Sequence, residues 1–246
     1  MEKTIKINKI IGDTPLQAMN KFRDSNPEYK DVKMAYAGRL DPLAHGELLV
    51  LVGDECKNRD HYQGLDKEYV FRVLVGVETD TYDPMGIITK TDINESFKKA
   101  ECIKLKFKEF VGKYFQQYPI YSSKAVDGKP MFWWAKSGRL DEIEIPEKGV
   151  SIYSLDLINE EEIKIETLVK YINSNIKKVD GDFRQDEIIK QWSDLLVNNP
   201  NVSFKVLKFK AAVSSGSYVR TLARDLGRAC NTTALALEIE RTMIKV

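Results

Sequence analysis

The spacing of apolar and polar positions along this chain changes several times, and each change marks an element. "TIKINKI" near the start alternates and predicts a strand. In "TPLQAMNKFRDSN", Leu16, Met19 and Phe22 recur at helical spacing behind Thr14, a capping residue, and Pro15, which suits a first turn. The apolar run "ELLVLVG" predicts a buried strand. In "KEYVFRVLVGVETDT", Tyr69, Phe71, Val73 and Val75 alternate with Val70, Arg72 and Leu74, which is strand period. A helix is predicted near residues 95–110. "QQYPIYSSKAVDGKPMFWWAKSG" is rich in aromatics and lysines but too irregular for a core element, and its "DGKP" signals a tight turn. "VSIYSLDLI" and "VSFKVLKFKAAV" again have strand character, and "RTLARDLGRACN" predicts a helix ending near Gly227.

Residues 159–200, between those last two strands, behave differently. Ile165, Leu168, Val169, Ile172 and Ile176 follow helical spacing, as do Ile188, Ile189, Trp192, Leu195 and Leu196. A helical hairpin turning at "DGD" is expected, and its nine acidic and six basic residues give it a net charge of −3. A packing role is expected for it over direct phosphate contact. Mixed strands and helices without a regular βαβ rhythm predict an α+β fold. Its central sheet should be mixed and largely antiparallel, flanked by helices, with the hairpin as an insertion.

Composition narrows the function classes. A chain of 246 residues, 43% hydrophobic, can bury one large core or two small ones. Lys plus Arg (38) nearly balance Asp plus Glu (37), so net charge argues neither for a nucleic-acid partner nor against a local basic groove. Cys56, Cys102 and Cys230 are odd in number and widely spaced, which reads as reduced thiols in a cytoplasmic protein. No leader-like or membrane-spanning run is evident. His45 and His61 are the only histidines, and no Cys/His cluster has ligand spacing, so no metal is expected. Without a Gly-rich phosphate loop, no nucleotide cofactor is expected either.

The candidate chemistry centres on "AYAGRLDPLAHGELLV", where Asp41 sits between Leu40 and Pro42 with Gly38 and Gly46 on either side. Taken alone, such an aspartate is a turn residue. In "GSYVRTL", Tyr218 and Arg220 lie two apart and would point the same way from an extended backbone, so that Arg220 could keep a carboxylate ionised. Tyr69 could present a ring from its strand. Taken separately, a surface ion pair and core packing account for these residues equally well.

Their order and wording resemble one family. "NKIIG", "AGRLDPLAHGELLVLVG", "KEYVFRVLVGVETDTYDPMG", "YPIYSSKAVDGKP", "SSGSYVRTLARDLG" and "EIERT" are similar to successive motifs of the TruB family of pseudouridine synthases, over residues 8–158 and 202–243. The resemblance implies the pseudouridine synthase fold and a tRNA partner. The reaction implied is isomerisation of the T-loop uridine at position 55, without a cofactor. It implies that Asp41 attacks or otherwise activates the uridine, that Tyr69 stacks on the extruded base near a proton transfer, and that Arg220 pairs with Asp41. It implies that Tyr218 and Ile239 line the pocket, Ile239 where a leucine is usual, and that Lys9 and Gly12 belong to the N-terminal motif. Tyr36 stands where the family has a histidine that fills the space left by the flipped base. His45 replaces a small hydroxyl residue. Lys124, Lys129 and Lys136 are candidates for an RNA groove. A single catalytic domain over 1–246, monomeric and without the family's C-terminal PUA domain, is the expectation. The competing readings are a synthase for other RNA and an RNA chaperone with little catalysis.

Overall fold

A computed structural model describes residues 2–245. The first strand, β1 (Thr4–Lys9), leads into α1 (Pro15–Ser25), where Thr14 and Gln17 cap each other reciprocally. Met19 is buried beneath α1 and Phe22 half-buried, but Leu16 faces solvent, beyond the edge of the stripe assigned to it. Strands β2 (Met34–Ala37) and β3 (Ala44–Val52) flank the loop that carries Asp41. A short α2 (Arg59–Gln63) precedes β4 (Lys67–Val75), and a ribbon of β5 (Val77–Thr79) and β6 (Ile88–Thr91) precedes α3 (Ser96–Lys106).

Strand β7 (Gly112–Gln117) runs into an arm made of β8 (Ala125–Val126), β9 (Lys129–Pro130) and α4 (Met131–Lys136). Asp127 and Gly128, both at positive φ, make the tight turn that "DGKP" predicts. Helix α4 was hidden in the irregular stretch, and it buries Met131 and Trp134. Then follow β10 (Glu147–Lys164), α5 (Ile165–Ile176), α6 (Gln185–Asn198), β11 (Ser203–Val213), α7 (Val219–Arg228) and β12 (Ala234–Ile244).

One eight-stranded sheet orders the chain as β1-β3-β12-β4-β11-β10-β7, with β2 paired to β3 as well. Its pairs are antiparallel except β3 with β12. The sheet is therefore mixed and largely antiparallel, with helices on its faces. In β4 the predicted alternation holds. Phe71, Val73 and Val75 pack with Ala100 and Ile103 of α3 and with Leu222 and Leu226 of α7. Leu74 faces the other way, into a second core with Phe204, Val206, Leu235 and Leu237.

The helical hairpin covers that second face. Ile165, Leu168, Ile172, Ile176, Ile188 and Trp192 are all fully buried there. It begins at Ile165, not at 159, because β10 continues through the charged stretch to Lys164. Glu160 finds Lys104 of α3 and Lys205 of β11, and Glu161 finds Arg72 of β4, so these acids pair with cations from the sheet and from a helix packed on it. From Ile165 to Pro200 there remain six acidic and five basic residues, a net of −1, so the hairpin is much less acidic than its assigned boundaries made it.

The thiols also differ from expectation. Cys102 of α3 and Cys230, just after α7, form a disulfide across 128 residues of sequence, leaving only Cys56 free. Packing of α3 against the end of α7 brings the two together, and sequence spacing carries no trace of it. Among the described residues, no helix is long and apolar enough to cross a membrane.

Candidate active site

The loop from Gly38 to Leu43 sits where β12 and β2 meet along one edge of β3, so the sheet fixes both of its ends. Two buried cations tie down its backbone. Lys9 donates to the carbonyls of Ile10, Pro42 and Ala44, and Arg241 donates to those of Gly38, Arg39 and Glu47. Burial pushes the Lys9 ammonium down to about 8, against the opposing pull of Asp41 and Asp13. Gly12, at φ +100°, donates its N–H to the Pro42 carbonyl. Lys9 and Gly12 thus stand behind the loop, outside the cavity it faces.

That cavity encloses about 520 Å³, and its walls include Leu40, Asp41, Tyr69, Tyr121, Tyr218, Arg220 and Ile239. Asp41 is 41% exposed at the side chain, whereas Arg220 is 4% exposed. The guanidinium grips the carboxylate at two points, Nε–Oδ2 at 2.8 Å and Nη2–Oδ1 at 3.2 Å. Its third nitrogen, Nη1, donates to the Thr81 carbonyl at 2.7 Å. Arg220 lies in the first turn of α7, with Tyr218 at the cap, not on an extended segment. The pair still reaches one site, because the helix begins at the cavity wall. Buried Gln116 fixes that start by exchanging hydrogen bonds with both the N–H and the carbonyl of Tyr218.

Sequence reasoning missed a second carboxylate. Asp83, buried, lies 3.8 Å from Arg220 Nε and accepts from Thr81 Oγ1 and the Met85 N–H. Burial, with Asp41 adding to it, pushes the Asp83 carboxyl up to about 6, although Arg220 pulls the other way. One arginine therefore serves two acids, a solvent-facing one that it grips at both oxygens and a buried one. The run of acids in "VETDTYDPMG" was the available signal.

The match to a family model, TruB family pseudouridylate synthase (N terminal domain), spans residues 27–175 and so includes the Asp41 loop, β4 and the arm. The chain belongs to the TruB family. A tRNA pseudouridine synthase B from Borreliella burgdorferi (strain ZS7) is 31% identical over 242 residues, 97% of this chain and 68% of that relative. Another, from Aquifex aeolicus (strain VF5), is 27% identical over 99% of this chain and 69% of its own length. Among solved structures, a Cbf5-Nop10-Gar1 complex superposes with a TM-score of 0.57 at 16% identity, covering 98% of this chain and 48% of that one. The likeness there is of fold.

Other TruB candidates lie around the rim. Lys124 and Lys129 are exposed on the arm, with Lys124 5.3 Å from the Tyr118 ring centroid and Lys129 5.3 Å from that of Trp133. Tyr118 in turn stands edge-on to Tyr218, so the arm connects to the cavity wall, and Phe132 of α4 forms part of that wall. Tyr36 lies off the cavity, beneath the Arg59 guanidinium at 5.5 Å, and Arg59 itself lines the cavity. His45 points away, toward Glu238 on the hairpin side of the sheet.

Proposed function

We propose that this chain isomerises uridine 55 in the T loop of tRNA to pseudouridine, with Asp41 as the catalytic carboxylate. The observation that carries the proposal is Asp41 itself, exposed toward the cavity while a buried arginine grips both of its oxygens. A carboxylate gripped at two points is fixed in place and aimed at whatever enters. The relatives named tRNA pseudouridine synthase B support the choice of substrate.

The chemistry matches the residues. A base within a folded RNA loop must leave the stack to reach the carboxylate, and an aromatic wall offsets part of that cost. Tyr69 offers its ring for stacking, and Ile239 lines the same cavity. Asp41 activates the nucleotide, the bond between C1′ and N1 breaks, and the uracil turns. A bond then forms between C1′ and C5, the C5 proton departs and N1 gains one. Substrate and product are isomers, so the balance closes with no electron acceptor or donor. The exposed lysines of the arm and Arg59 at the rim suit a phosphate backbone entering from that side.

The test is site mapping. Unmodified tRNA incubated with the protein should gain a single pseudouridine at position 55, and a transcript with cytidine there should gain none. Modification at other positions with 55 untouched would contradict this target.

A further inference from the structure

The two ends of the loop joining α5 to α6 reach the catalytic frame from behind. At one end, the Lys178 backbone packs so closely on Gly12 that any side chain at position 12 would collide with it, and Gly12 holds the Pro42 carbonyl next to Asp41. At the other end stands Arg184, the residue just before α6, held in the left-handed region at φ 64°. A non-glycine residue keeps that conformation only where its surroundings compensate. Here they do. Arg184 makes a forked pair with Asp80, Nη1–Oδ2 at 2.7 Å and Nη2–Oδ1 at 3.2 Å, and its guanidinium lies 4.6 Å from the centroid of the Tyr121 ring. The pair is well shielded, with side-chain exposures of 28% and 16%.

Both partners of Arg184 lead to Arg220. Asp80 also accepts from the Ile87 N–H and adjoins Thr81, whose carbonyl binds Arg220 Nη1. Tyr121 lines the cavity, and its carbonyl accepts from Arg220 Nη2 at 3.4 Å. We propose that Arg184 is a positioning residue for the reaction: by clamping the Asp80 loop to Tyr121, the hairpin sets the place of Arg220 and of one cavity wall. This makes the hairpin part of the active-site frame as well as a cover for the sheet. The inference rests on the catalytic reading of Asp41 and Arg220.

The test uses the full chain and a T stem-loop RNA carrying C5-tritiated uridine, read as single-turnover tritium release at saturating RNA. Arg184→Ala should slow release by about tenfold, the scale of losing one charge-assisted fork. The dependence of RNA affinity on salt should stay as in the unaltered protein. Arg184→Lys, which keeps the charge but not the planar fork, should fall between the two. Leu195→Ala trims hairpin packing some three turns along α6 from Arg184. It should lower the melting temperature and leave the rate near that of the unaltered protein. Three results would overturn the proposal: an Arg184→Ala rate within twofold of the unaltered protein, an equal loss of rate in Leu195→Ala, or a shallower salt dependence, which would mark Arg184 as a phosphate contact. Failure of the unaltered protein to release tritium would instead sink the functional reading beneath it.

Discussion

Asp83 is the residue whose behaviour separates this site from a simple ion pair. Its carboxyl is raised to about 6 chiefly by burial. A raised folded-state value means that the stability it contributes is full below the ordinary carboxylate range, near 4, and is lost as pH rises through about 6. Asp83→Asn keeps an acceptor for Thr81 and Met85 and removes that titration. The melting temperature of Asp83→Asn relative to the unaltered protein should therefore climb between pH 4 and pH 7. A difference that stays flat across that range would show that Asp83 does not titrate there. At this scale Asp41 was legible because its neighbours form a distinctive phrase, while Tyr218 and Arg220 were paired through the wrong backbone geometry. Asp83 and Arg184 were not legible. An acid in an acid-rich turn and an arginine in a hairpin loop look solvated until the fold supplies Arg220 and Asp80.

Among the elements, the contact between β3 and β12 matters most for the loop. Gly46, at φ +102°, lies against the Arg241 backbone where those strands pair in parallel, and an added Cβ would collide with the Arg241 carbonyl. Gly46→Ala should cost at least about 2 kcal/mol, from left-handed strain plus overpacking. Because Arg241 also holds Gly38 and Arg39, activity should fall further than stability explains. Denaturant melts and turnover of the same sample check both, and an unchanged midpoint would refute the close packing. Helix α1 and strand β4 were legible because cap, proline and alternation are local signals. The second half of β10 was not, since its glutamates are explained by Lys104, Lys205 and Arg72 from distant segments.

For the molecule as a whole, the sheet has two covered faces, and the hairpin is one of the covers. Its apolar stripes were plain in the sequence, but the surface they bury was not, because face assignment needs the sheet order. Replacing residues 165–200 by a short Gly/Ser linker would strip Leu74, Phe204, Val206, Leu235 and Leu237 of their cover. The product should aggregate or melt far earlier, at a scale of roughly 1.5–3 kcal/mol for each large side chain uncovered. A deletion product that melts like the full chain would remove the hairpin from the core. The central claim, that this TruB chain performs its isomerisation through Asp41, is tested most directly by tritium release from C5-labelled tRNA. The unaltered protein should release one equivalent per target site. Asp41→Asn, with an unchanged melting temperature and tRNA affinity, should retain less than about a tenth of the rate, since the amide keeps the shape but not the charge. A folded Asp41→Asn protein that keeps a tenth or more of that rate would contradict the account.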